Sequence, residues 1–235
     1  MKQKGFVFSF AVAAMLGSAL VMPSEAQAFG LNDLKSKAGA IGGSSSSVDV
    51  ASLTSRQEEL MAQFSSAMEN MLLAQSKTLE AAGHKEDAMK ASAAAANYSS
   101  GNIDDPKAIE RDTELTQENQ AKIDQMLSEQ EQLSDEGRAA LAEAVPYYAK
   151  GMYDGYNLPD AFQSWSANAK DGVGQLKTNP GQAAKLTGSL NEVTTVTTSL
   201  PTLVKSWGGT TKTFITYAKG NSVDVSDVES KLGDL

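Results

Sequence analysis

Cysteine is absent from this chain of 235 residues. Disulfides, thiol chemistry, cysteine-based zinc sites and an N-terminal lipid anchor on cysteine are therefore excluded. Histidine occurs once, at His84, so a transition-metal site or a serine–histidine–acid triad would depend on that one side chain. Aromatic residues make up only 6% of the chain, which is typical of helices packed closely through small and aliphatic side chains.

Motifs for catalysis or for phosphate binding are also missing. The chain has no glycine-rich phosphate loop, no Gly-x-Ser-x-Gly sequence and no EF-hand loop. Its acidic residues lie mostly in polar runs that are typical of solvated helix faces. We therefore expect no catalytic residue, no metal and no cofactor, and we expect that the protein is not an enzyme.

Positive charge is scarce, and the net charge is −9. An acidic protein repels phosphates, which argues against nucleic acid as a partner and against adhesion to anionic lipid through charge alone. No stretch is long and apolar enough for a resting membrane span, so we also expect no permanent span.

The N-terminus has the pattern of a secretory signal peptide over residues 1–28. Lys2 and Lys4 precede an uncharged, mostly apolar stretch over 5–22, and Ala26-Gln27-Ala28 provides the small-x-small pattern that a signal peptidase recognises. Cleavage would leave 207 residues with a net charge of −10, since the leader carries two lysines and one glutamate. The expected location is the periplasm or the extracellular space.

The remaining chain predicts an all-α fold, an elongated antiparallel helical bundle of about five to seven helices. Residues 29–52 are rich in Gly and Ser and predict a flexible N-terminal segment, 53–220 predict the bundle, and 221–235 predict a C-terminal tail. Asp105-Pro106 and Asn179-Pro180 are typical helix starts. Kinks or breaks are expected at Pro146 and Pro201, and an interruption at 208–209.

The clearest helix covers residues 53–79, which contain neither Gly nor Pro. Its apolar residues recur every three or four positions, as in helices of coiled-coil type that pack along a neighbour. The polar segment 107–133 has too thin an apolar strip to cover this stripe, so either 186–217 or another chain must do so. We therefore expect a partner-binding surface centred on Leu60, Phe64, Met68 and Met71.

Two other sites remain possible. A small ligand could bind to the aromatic residues of 147–165, whose faces stack on rings, although such residues more often fill a core. The candidates are Tyr147, Tyr148, Tyr153, Tyr156 and Trp165. The stretch 186–217 could act on membranes after a conformational change, although lysines, threonines and Pro201 weaken that reading.

Together these features favour an exported, acidic helical protein that acts as a non-enzymatic binding or assembly component. Its partner would be another protein or a second copy of the chain. A small-ligand carrier and a membrane-active protein are the alternatives.

Overall fold

The computed structural model describes residues 49–99, 106–129 and 132–233. The predicted signal peptide and nearly all of the predicted flexible segment lie outside these residues. The described residues form seven helices and contain no strand, which confirms the all-helical prediction. The helices are α1 (Val50–Ala81), α2 (Lys85–Ser99), α3 (Pro106–Ser128), α4 (Asp135–Gly155), α5 (Leu158–Gln175), α6 (Pro180–Gly220) and α7 (Ser226–Gly233).

Helix α1 has a well-defined cap at each end. The Asp49 carboxylate accepts hydrogen bonds from the backbone amides of Ala51 and Ser52, at 3.1 and 3.2 Å, and so satisfies two of the donors that open a helix. At the other end Gly83 has φ +82°, which favours glycine. The amide of His84 then donates to the carbonyl of Leu79 at 2.9 Å, closing a Schellman motif that turns the chain into α2.

Helix α1 lies in the middle of the bundle. It packs against α2, α3, α4, α5 and α6, and its contact with α4 is the most extensive. Its apolar side chains recur on several sides, and fifteen of its residues are buried. A helix that is apolar on several sides needs covering on several sides, which is why the other helices assemble around it.

Helix α6 differs from the sequence-based expectation because it runs unbroken for 41 residues. It continues through Pro201 and through Gly208-Gly209, where an interruption was expected. Pro201 is exposed, so the carbonyl that loses its helical partner can face water. Leu200 and Leu203 on either side are buried and hold the helix against the core.

The predicted C-terminal tail, 221–235, contains the short helix α7. Val223, Val225 and Val228 are buried, and α7 packs against α4. Three valines within six residues supply enough apolar surface to fix this segment on the bundle. The helical part of the chain therefore extends beyond residue 220.

Candidate functional site

The four residues predicted as a partner surface on α1 are fully buried. Leu60, Phe64, Met68 and Met71 all have zero exposure. The Phe64 ring packs edge-on against Tyr98 of α2, with ring centroids 6.2 Å apart, and Met71 packs against Gly151 of α4. The expectation of an open surface is therefore corrected. The stripe is covered within the chain, chiefly by α4, which the sequence argument did not consider as a cover.

The predicted aromatic cluster is divided between the core and the surface. Tyr148 is fully buried, and its ring lies 4.3 Å from that of Phe214. Burial raises the pKa of the Tyr148 hydroxyl. Trp165 is also buried and donates its indole N–H to the carbonyl of Leu53 at 2.8 Å. These side chains serve packing, as the alternative reading of the sequence had it.

The remaining tyrosines of the cluster lie toward the solvent. Tyr147 is half-buried, while Tyr153 and Tyr156 are 37% and 45% exposed. The structure therefore does not bring the five predicted ligand-binding residues into one pocket.

A serine, a lysine and an aspartate meet where α1 packs on α4. The Ser66 hydroxyl donates to the Asp154 carboxylate at 2.6 Å, and the Lys150 ammonium donates to both, at 3.0 and 2.5 Å. An ammonium has no lone pair with which to accept the proton of the serine, so Lys150 does not act as a base here. The cluster joins two helices by charge-assisted hydrogen bonds.

A groove of about 260 Å³ lies at the end of the bundle where α1 gives way to α2. Its apolar lining includes Met126, Leu127, Leu133 and Leu141, and His84 and Glu129 stand at its polar rim. No local pattern predicted this groove, because its walls come from four helices, α1, α3, α4 and α6, and are spread over residues 78–217.

Helices α2 and α3, which we call the cover, are held on the bundle by few large apolar side chains. Helix α2 packs on α1, and α3 packs on both α1 and α6. Small side chains bury little apolar area and contribute correspondingly little stability. The buried apolar residues of the cover are Ala88, Ala91, Ala94, Ala95, Tyr98, Ile109, Ile123 and Leu127.

The inner face of α3 is largely polar. Five of its polar residues are buried at positions that continue the strip of Ile109 and Ile123, namely Asp112, Thr113, Thr116, Asn119 and Gln120. Some of them bond to α1: the Gln75 side-chain amide donates to the carbonyl of Thr116 at 3.0 Å. The thin apolar strip of 107–133 did not predict this buried polar face.

Unpaired buried polar atoms lie on the cover and on α6, and we call this set of atoms the polar seam. Among the described residues, seven buried side-chain atoms have no hydrogen-bond partner, and all belong to the cover or to α6. They are Tyr98 OH, Asp112 Oδ2, Thr113 Oγ1, Asn119 Oδ1, Gln120 Oε1, Trp207 Nε1 and Thr210 Oγ1. Each such atom costs about 1–3 kcal/mol when it loses its bonds to water. Burial, with the nearby Asp112 carboxylate, raises the pKa of Tyr98.

The described residues offer neither a metal cluster nor a membrane span. No group of three or more His, Cys, Asp or Glu side chains among residues 49–99, 106–129 and 132–233 could hold a metal ion. Within the same residues, no helix is long and apolar enough to cross a membrane.

Comparison with known proteins gives no relative. No family model matches the chain, and neither curated protein sequences nor solved structures show significant similarity to it.

Proposed function

We propose that the chain is an exported, acidic helical protein that acts as a binding or assembly component through helix faces, without catalysis. The observation that carries the proposal is the contrast between α1 and its cover. Helix α1 has the broadest apolar stripe of the described chain, whereas the cover offers it mainly alanines and polar groups. A partner helix with larger apolar side chains would bury more area on α1 than the cover does, and so could displace it.

The proposed binding surface is the α1 stripe, with Leu60, Phe64, Met68 and Met71 at its centre. Phe64, whose ring packs on Tyr98 of the cover, becomes reachable when the cover moves away. The proposed partner is a second copy of the chain, whose own α1 stripe has the same character once it is uncovered. Symmetric contacts between identical faces are the commonest way in which soluble proteins assemble.

Light scattering on residues 29–235 over a range of concentrations tests this proposal. We expect a mass above that of one chain, rising with concentration. Thr113→Val and Thr210→Val remove unpaired hydroxyls from the polar seam, hold the cover more tightly and should reduce the assembly. Met89→Ser changes the most exposed large apolar side chain, which is 73% exposed, and should leave the assembly unchanged. A single-chain mass at every concentration would count against self-assembly.

Export is proposed from the leader alone. An intact mass measurement on the protein recovered outside the cytoplasm should show a chain that begins at Phe29. A chain that keeps residues 1–28 would contradict both the cleavage site and the proposed location, periplasmic or secreted.

We propose that Ser66 is not a nucleophile, because the Lys150 ammonium donates a hydrogen bond to it and has no lone pair to accept its proton. A fluorophosphonate probe, which reacts with activated serines, should not label Ser66 beyond the level of a Ser66→Ala variant. Labelling that depends on Lys150 would overturn this part of the proposal.

The groove beside His84 favours a second candidate function, the binding of a small amphiphilic molecule. Its size is near the lower end of ligand pockets, and its apolar floor with a polar rim suits a molecule of mixed character. The fluorescent probe 8-anilinonaphthalene-1-sulfonate tests this. Leu133→Trp, which fills the groove, should abolish binding, and Tyr153→Ala, at a distant exposed position, should not. Equal binding by both variants would exclude the groove.

No observation favours the membrane-active alternative, because the large apolar residues of 186–217 serve the core. Leu200, Trp207 and Phe214 are all fully buried. Dye release from liposomes by the native protein would revive this alternative.

A further inference from the structure

We infer that the cover, α2 and α3 together, opens as one unit while α1, α4, α5 and α6 stay folded. The inference deepens the proposed function, because this opening would uncover Phe64, the residue of the α1 stripe that packs on Tyr98 of the cover. It can nevertheless be measured on a single chain without any partner. Parts of a protein with few buried apolar contacts open at lower free energy than the whole molecule unfolds.

The first ground is the unequal apolar content of the helices. Of the eight apolar residues that the cover buries, four are alanines. Helix α6 alone buries as many, and only one of them is an alanine: Leu186, Val193, Val196, Leu200, Leu203, Trp207, Phe214 and Ala218. Separating the cover therefore exposes much less large apolar surface than separating α6 would.

The second ground is the polar seam. Five of its seven unpaired atoms lie on the cover, and the other two, on Trp207 and Thr210, lie on the helix that α3 packs against. Buried water could meet part of their hydrogen-bonding need. A seam of this kind gains hydrogen bonds to water when it separates, which an apolar interface does not.

The third ground is the way in which the two helices of the cover are joined to each other and to α1. Within the cover, the Lys122 ammonium pairs with the Asp87 carboxylate at 2.9 Å, and this hydrogen bond lowers the pKa of Asp87. Toward α1, the chain turns through Gly83, whose surroundings are open on the side where a Cβ would stand. The ion pair links the two helices near their surface, and the glycine turn gives them a place to pivot.

Single cysteines test the inference, because the chain has none of its own. Ala95 lies on the buried face of α2 and Ala149 on that of α4, and each is 1% exposed. We expect the thiol of Ala95→Cys to react with a disulfide reagent at least tenfold faster than that of Ala149→Cys under native conditions. Its rate should also rise less steeply with urea, since a local opening exposes less surface.

The seam is tested in the same assay. Thr113→Val and Thr210→Val, each combined with Ala95→Cys, should slow labelling about fivefold, because one unpaired buried hydroxyl is removed at nearly constant volume. Thr198→Val, at an exposed position of α6, is the matched control and should leave the rate unchanged. Unchanged rates in the two seam variants would overturn the role given to the seam.

Equal labelling of Ala95→Cys and Ala149→Cys, with the same urea dependence, would overturn the inference. Hydrogen exchange on the unmodified chain is the control for an introduced cysteine that destabilises the whole fold. Amides of residues 85–99 and 106–128 should exchange together and earlier than those of α4. If instead they exchange only with α4, the cover is not a separate unit. If the cover opens but the chain does not assemble, only the proposed function fails.

Discussion

Replacing Gly151 with alanine should destabilise the protein, although the same change stabilises most helices. Alanine in a helix interior is favoured over glycine by about 1 kcal/mol. At Gly151, however, the new Cβ would lie 2.7 Å from Met71 Sδ and 2.8 Å from Met71 Cγ. Met71 has zero exposure, so its side chain has little room to move, and its backbone nitrogen is only 3.2 Å away. Overpacking of this kind costs about 1–3 kcal/mol.

The control is Gly188 in α6, where a Cβ would meet nothing within 4 Å. Gly188→Ala should raise the free energy of unfolding by up to about 1 kcal/mol. Gly151→Ala should lower it by about 1 kcal/mol, so the two variants should differ by roughly 2 kcal/mol. Urea unfolding followed by circular dichroism at 222 nm measures both, provided that the urea dependence is the same in each.

A double-mutant cycle identifies the cause. In a Met71→Ala background the added Cβ no longer meets the thioether, so Gly151→Ala should cost less than in the wild type, with a coupling of about 1–3 kcal/mol. Equal stabilisation by Gly151→Ala and Gly188→Ala, or a coupling of zero, would show that α1 and α4 do not pack as closely as described here.

Three further changes test other local features. Ser222 has φ +62° just after α6, so Ser222→Gly should raise the free energy of unfolding by about 1 kcal/mol. A lower free energy of unfolding in urea would contradict this backbone geometry. Asp49→Ala should cost about 1 kcal/mol through the loss of the α1 cap, whereas Asp49→Asn should cost little, and equal losses would argue against capping. Burial raises the pKa of Glu69, opposed by Lys150, so the folded state binds that proton more tightly than the unfolded state does. Relative to Glu69→Gln, the wild type should therefore lose stability as the pH rises above 4.5, and the opposite trend in unfolding measured at pH 4 and pH 7 would refute the shift.

Local signals in the sequence predicted the starts of α3 and α6. Asn179-Pro180 predicted the start of α6, and the Asn179 side chain accepts a hydrogen bond from the amide of Gln182 at 3.3 Å. Gly83 follows a long stretch without glycine or proline and ends α1, as glycine commonly does after a helix. These features depend on a few neighbouring residues, so the sequence carries them directly.

Long-range packing was not predictable in the same way. The stripe around Phe64 was recognised, but whether it faced a partner or the same chain depended on the paths of α4 and α6. Pro201 was expected to disturb α6, yet buried neighbours on both sides hold the helix. In each case tertiary contacts outweighed a local preference.

The polar seam had a signal that could have been read. Asp112, Thr116 and Asn119 follow Ile109 at helical spacing and lead to Ile123, so they fall on the inward strip of α3. Counting polar residues at core positions, and not only apolar ones, would have indicated a buried polar face. The groove beside His84 had no such signal, since its walls come from four helices that are spread over residues 78–217.

The central position of α1 has a consequence for how the protein is made. Among the described helices α1 leaves the ribosome first, and the helices α4 and α6 that enclose it follow by up to 170 residues. Until those residues have emerged, side chains such as Met71, which packs on Gly151 of α4, lack their final neighbours. Folding that waits for distant segments is slow. A nascent chain that folds slowly stays unfolded long enough to pass through a translocation channel, as the proposed export requires.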